Sequence, residues 1–169
     1  MSVEGLPPDY EKNDALQRSK SKPHETMAAR EGKWKVTTKH SEMFGGQSHV
    51  GECSMRLVLD GKFLVSEGTS SMMGQDCETF GVYSYDSLTQ EYIAYNLNSI
   101  YTCACEVRGK MRPDGAIEYV GIMKDAMTPE GRRYRVEESE QNADEFTIVI
   151  FDGGEQEFEV LSMKFERAD

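Results

Sequence analysis

The sequence predicts an all-β domain: an antiparallel up-and-down sheet of about ten strands, closed into a barrel, with a short N-terminal helix. Three observations predict it. From Gly32 to Glu166 the dominant hydrophobic period is two, the period of a strand with one face in and one face out. Turn chemistry breaks that pattern at spacings close to the roughly 8–12 residues of a sandwich or barrel. No helical pattern separates the segments, so consecutive strands are joined by hairpins and run antiparallel. An open meander would expose two edges, and closure removes both. A barrel of about eight to ten strands leaves an interior just large enough for side chains or one small ligand.

Residues 1–22 are polar, with Pro7-Pro8 and the basic run Arg18-Ser19-Lys20-Ser21-Lys22, and predict a mobile or loosely attached arm. The barrel domain follows over residues 23–169. Pro23 can start a short helix whose apolar face is Met27 and Ala28, and Gly32 ends it. Lys33–Lys39 then alternates, with Trp34 and Val36 on one face and lysines on the other. Glu52–Leu57 alternates likewise, and Asp60-Gly61 predicts a tight hairpin into Lys62–Ser70. Further strands are predicted at Cys77–Tyr85, Glu91–Leu97, Tyr101–Arg108, Ala116–Lys124, Arg132–Glu138, Glu145–Phe151 and Phe158–Glu166. Between them lie Met73-Gly74-Gln75, Asp86-Ser87, Asn96-Leu97-Asn98, Pro113-Asp114-Gly115, Pro129-Glu130-Gly131 and Asp152-Gly153-Gly154, all rich in turn-forming residues. No internal repeat and no low-complexity segment interrupts this order.

A length of 169 residues fits one domain. A chain of this size buries roughly 70% of its unfolded surface and needs no disulfide or metal staple. The formal net charge of −11 repels phosphate backbones and anionic headgroups, which excludes nucleic acid and membrane surfaces as partners. No apolar run approaches the roughly 20 residues that span a membrane, and the polar start of the chain is unlike a signal peptide. The four cysteines, Cys53, Cys77, Cys103 and Cys105, form no C-x-x-C pair and read as reduced thiols of a cytoplasmic protein. With His24, His40 and His49 they give no zinc spacing, and no metal or cofactor is expected.

Gly32-Lys33-Trp34 places a G-x-W at the start of the first strand, directly after the short helix. That signature resembles the calycin superfamily, which includes lipocalins and fatty-acid-binding proteins. The longer stretch His24-x-x-Met27-x-x-x-x-Gly32-x-Trp34 resembles the H-x-x-L-x-x-x-x-G-x-W opening of a bacterial family catalogued as domain of unknown function 1579. The resemblance continues through Gly61, Phe63-Leu64, Glu67, Met73-Gly74-Gln75, Glu78, Gly81, Tyr85-Asp86, Tyr92, Glu106, Met127-Thr128 and Arg135. It ends at Phe165 and Arg167, so it covers about residues 23–167. It implies a calycin-like barrel and little chemistry, because that family is not biochemically characterised. The sequence departs from the family pattern at Asn96, where a tryptophan is expected, and at Thr79, where a glycine is. A related calycin group binds haem through a histidine near its C-terminal end. The last histidine here is His49, which argues against such a haem.

Strand parity suggests an interior. Glu67 shares its face with Phe63 and Val65, Glu78 with Phe80 and Val82, and Glu106 with Ala104 and Thr102. A carboxylate on a partly apolar face must be paired, hydrogen-bonded or protonated. One reading is a polar cluster at the floor of a ligand cavity, partnered by Arg135 and Tyr92 and flanked by Phe80 and Asn96. Another is a buried network that fixes strand register. A third is that a bulge reverses the parity and the acids face water. Trp34 is expected to plug the closed end of the barrel, and the resemblance implies that Arg167 stacks on it. Met43-Phe44-Gly45-Gly46 and Met72-Met73-Gly74 would suit a flexible mouth or ordinary loop packing, and His24 would cap the short helix or meet solvent.

These expectations favour a binding protein for a small, partly apolar ligand. Two alternatives remain open: an enzyme using interior carboxylates as acid and base, or a structural or oligomeric interaction module. The binding reading needs an apolar cavity touched by Glu67, Glu78 or Glu106. The enzyme reading needs an interior Glu beside open space and outside an ion pair.

Overall fold

The computed structural model of the chain describes residues 6–72, 74–126, 128–154 and 156–168, together with the backbone but not the side chain of Met72. The sequence features at Met72, Met73 and Met127 therefore fall wholly or partly outside the described residues. Ten antiparallel strands close into one barrel in the order β1-β10-β9-β8-β7-β6-β5-β4-β3-β2. They are β1 (Gly32–His40), β2 (Ser48–Val58), β3 (Phe63–Met72), β4 (Gln75–Asp86), β5 (Glu91–Asn98), β6 (Cys105–Met111), β7 (Ile117–Met123), β8 (Arg132–Asn142), β9 (Glu145–Asp152) and β10 (Phe158–Arg167). Every neighbour but one is a sequence neighbour, so the expected meander is present. The exception is β1 against β10, where Trp34 faces Arg167 and Val36 faces Phe165, and this pairing removes the sheet's last edges.

Two helices precede the barrel, α1 (Tyr10–Arg18) and α2 (Lys22–Ala28). The arm expected over residues 1–22 thus contains a helix, α1, with no buried residue. Its few apolar side chains, Tyr10 and Leu16, stay exposed, which is why the sequence carries no amphipathic signal there. Helix α2 is the predicted one. Pro23 lies in its first turn, and Met27 and His24 are buried beneath it. His24 Nδ1 accepts a 3.1 Å hydrogen bond from the Ser21 amide, so this histidine caps the helix from inside.

Asp60-Gly61 joins β2 to β3 as the expected hairpin, through a four-residue loop between Val58 and Phe63 in which Leu59, Asp60 and Gly61 all take left-handed φ values of 51°, 61° and 73°. The structure corrects one local expectation. The strand expected from Tyr101 begins only at Cys105, because Asn98 Oδ1 captures the Ile100 and Tyr101 amides in a turn.

Side chains at alternate positions fill the interior: Trp34, Val36, Met55, Leu64, Tyr92, Ala94, Val107, Ile117, Tyr119, Val136, Phe146, Ile148 and Phe165. An aromatic stack closes the end under α2. Phe146 lies on Phe165 with ring centres 4.3 Å apart, and its edge meets Trp34 at 5.0 Å.

Candidate functional site

Just under α2 the interior carries its only buried ion pair among the described residues. Arg30, in the turn between α2 and β1, sends its guanidinium into the barrel. Its Nη1 lies 2.6 Å from Oε1 of Glu138, whose side chain is 3% exposed. Glu138 comes from β8, where it continues the inward series Tyr134 and Val136. The guanidinium also rests on the face of Phe146, 4.4 Å from the ring centre. Burial opposes the Arg30 charge, but Glu138 outweighs it and holds the guanidinium firmly protonated. Beside this charge contact, Arg30 Nε and Glu138 Oε1 are buried without a hydrogen-bond partner. A buried polar atom in that condition invites a partner.

Phenols surround the pair. Burial pushes the Tyr83 and Tyr119 hydroxyls well above the ordinary tyrosine range and raises that of Tyr92, and the nearby Glu138 charge adds to this. All three therefore stay protonated and serve as hydrogen-bond donors. Tyr92 meets Tyr85 edge to face at 5.0 Å, and Tyr85 meets His24 at 5.9 Å. Met27, Arg30, Tyr83, Tyr92, Tyr119 and Glu138 border a small cavity of about 20 Å³ that reaches out beside α2. That volume holds one or two waters.

Of the residues the sequence singled out, Tyr92 lines this chamber. Asn96 shares the inner face and accepts a 3.2 Å hydrogen bond from Tyr83 Oη, but it sits towards the opposite mouth, where it is exposed. The acids do not come inside. Glu67, Glu78 and Glu106 all point outward and are exposed, as is Phe80. Glu67 pairs with Arg56 at 3.7 Å and Glu106 with Arg108 at 2.8 Å. Arg135 is also on the outer wall, on Phe151 at 4.0 Å and 2.8 Å from Glu137.

The physical reason is that apolarity marks the wrong face here. In β4 the inward positions are Cys77, Gly81, Tyr83 and Tyr85, while Phe80 and Val82 lie outside. In β3 Phe63-Leu64-Val65 is apolar at every position, so parity has no anchor; Leu64 and Ser66 prove to be the inward pair. Glu67, Glu78 and Phe80 do meet, but in a shallow outer groove of about 590 Å³ with Leu97.

Trp34 is 2% exposed and its Nε1–H donates to the Arg30 carbonyl at 2.9 Å. Arg167 lies over its ring at 4.4 Å. Sequence reasoning passed over Arg30 and Glu138. The available signal was Glu138 itself, two residues beyond Val136 within a predicted strand. Among the described residues no three His, Cys, Asp or Glu side chains gather as a metal site, and no helix is long and apolar enough to cross a membrane.

A family model described as "Protein of unknown function (DUF1579)" matches residues 19–167. No curated protein matches the chain. Among solved structures, the S-type phycobiliprotein lyase CPES from Guillardia theta is similar over 93% of this chain and 97% of its own, with 11% identity and a TM-score of 0.53. A redesigned beta barrel covers 85% of this chain and 95% of its own at 11% identity, with a TM-score of 0.43. At this identity the likeness to the lyase concerns the lipocalin-like barrel fold.

Proposed function

The chain belongs to the DUF1579 family of proteins of unknown function, and on that premise we propose that its barrel binds a small, partly apolar molecule in the chamber under α2. The observation that carries this reading is the Arg30–Glu138 pair. Two buried charges are costly to keep, and replacing such a pair with apolar residues is often neutral or stabilising. Here both members also leave a polar atom without a hydrogen bond, beside a cavity lined by protonated phenols. A ligand with a hydrogen-bonding head and an apolar body satisfies those atoms and lies against Met27, Tyr92 and Phe146. The present cavity is not the one the sequence predicts: it admits water alone and touches none of Glu67, Glu78 and Glu106, so a larger guest requires α2 to lift from β3 and β4. The hinge is the Ala29–Glu31 turn that carries Arg30, which couples lid movement to the ion pair. The likeness of this fold to that of a phycobiliprotein lyase supports a small-molecule role over a purely structural module.

The enzyme alternative is weaker. It needs an interior carboxylate free to take a proton, and Glu138 is held by Arg30. Four free cysteines favour a reducing compartment such as the cytoplasm.

The test is native mass spectrometry of the full chain purified from its own host, alongside the double variant Arg30→Met/Glu138→Leu. A retained small molecule in the wild type that the folded double variant loses supports the reading. Equal occupancy in both proteins, or none in either across a panel of apolar acids and alcohols, overturns it.

A further inference from the structure

Two imidazoles meet away from the α2 chamber. His40 ends β1 and follows Trp34, Val36 and Thr38 at every second position, all four buried. His49, near the start of β2, shares the inward alternation of Gly51, Cys53 and Met55. The β1–β2 hairpin brings them together. Thr38 faces His49 across the pair, and the His40 amide donates to the Gln47 carbonyl. The two rings stand edge to face with centres 5.9 Å apart. Nε2 of each is buried and has no hydrogen-bond partner, and neither does the buried Oγ of the adjacent Ser41.

A buried imidazole nitrogen ordinarily finds a partner, and leaving one without costs about 1–3 kcal/mol. Two such nitrogens on rings in edge-to-face contact point to a shared one. A neutral imidazole offers a lone pair of the kind borderline divalent metals prefer. At a zinc–nitrogen distance of about 2.0–2.1 Å, two rings on one metal have centres no more than roughly 6.3 Å apart. The observed 5.9 Å fits within that limit.

We propose that His40 and His49 bind one borderline divalent metal ion of the zinc class through their Nε2 atoms. No third His, Cys, Asp or Glu joins them among the described residues. The protein thus supplies two nitrogens and leaves the other coordination positions to solvent or a small anion. That makes an open, exchangeable site rather than a closed structural one.

The experiment uses the full chain, stripped with chelator and titrated with zinc chloride. Calorimetry gives stoichiometry and affinity, and nitrogen-detected NMR follows the imidazoles. One equivalent of zinc is expected, shifting the His40 and His49 ring signals and leaving His24 unmoved. His40→Gln and His49→Gln each weaken binding at least tenfold, and His24→Gln does not. The proposal is overturned if the wild type takes up no zinc, in which case the orphan nitrogens share a water. It is equally overturned if the double variant His40→Gln/His49→Gln binds as the wild type does. Should a variant fail to fold, the ring shifts of the wild type alone decide the matter.

Discussion

The Arg167 guanidinium lies 4.4 Å above the centre of the Trp34 indole while its nitrogens donate to the Ala29, Glu31 and Ala143 carbonyls at 2.8, 3.0 and 3.2 Å. One side chain from the last strand thus joins the end of α2, the start of β1 and the β8–β9 hairpin. Trp34 itself donates to the Arg30 carbonyl, so the same cluster sets the backbone from which Arg30 enters the barrel.

Arg167→Lys keeps the charge but loses the planar fork that reaches several carbonyls and lies flat on the indole. The expected cost is about 1–3 kcal/mol, from lost charge-assisted hydrogen bonds. Denaturant unfolding followed by Trp34 fluorescence, from the chain's single tryptophan, measures it. A red-shifted emission in the folded variant would accompany the loss. Wild-type stability and emission would show that Arg167 merely decorates the surface.

Gly32 is fixed by the same cluster. Its φ is +134°, a region L side chains avoid, and an added Cβ would sit 2.9 Å from Arg167 Nη1. Gly115 also has a positive φ, +89°, but open space around it. Gly32→Ala should therefore cost more than Gly115→Ala, which carries only the backbone strain of about 1–2 kcal/mol. Equal losses in thermal or chemical unfolding would mean the contact with Arg167 has no weight.

Glu138→Gln leaves a buried guanidinium without its counter-charge. The expected loss is about 3–5 kcal/mol. Arg30→Met/Glu138→Leu removes both charges and should recover most of that stability, since two apolar side chains replace a costly pair. If the single variant is as stable as the wild type, solvent screens the pair and its burial carries no weight.

The barrel was legible because its cues are local. Period-two segments, Gly-rich breaks and the Gly32-Lys33-Trp34 signature each sit within a few residues of chain, and closure follows from the cost of open edges. The site was less legible because facing is a tertiary property. Glu67, Glu78 and Glu106 share strands with apolar neighbours, and in β4 those neighbours, Phe80 and Val82, are on the outside. The inner wall there is built from tyrosines and glycine, residues that carry no inward signal. Arg30 was hidden for a further reason. It lies in a turn, where no periodicity applies, and reaches Glu138 more than a hundred positions away through packing alone.

His24 makes the capping of α2 sensitive to acid. Its Nδ1 accepts from the Ser21 amide, so the ring proton resides on Nε2, and protonating Nδ1 breaks that bond. Burial lowers the His24 pKa below the ordinary imidazole value, and the positive charges of Lys62 and Lys20 push it the same way. A histidine depressed in the folded state binds fewer protons there than in the unfolded chain. Stability then rises with pH across the imidazole range, and the His24 contribution is lost as pH falls below the unfolded value of about 6.5. His24→Asn removes this titration but leaves His40 and His49 in place, so the difference between the two proteins isolates His24. The unfolding free energy of wild type minus variant should shrink between about pH 7.5 and 5.5. Parallel curves over that window would show that the cap does not sense protons.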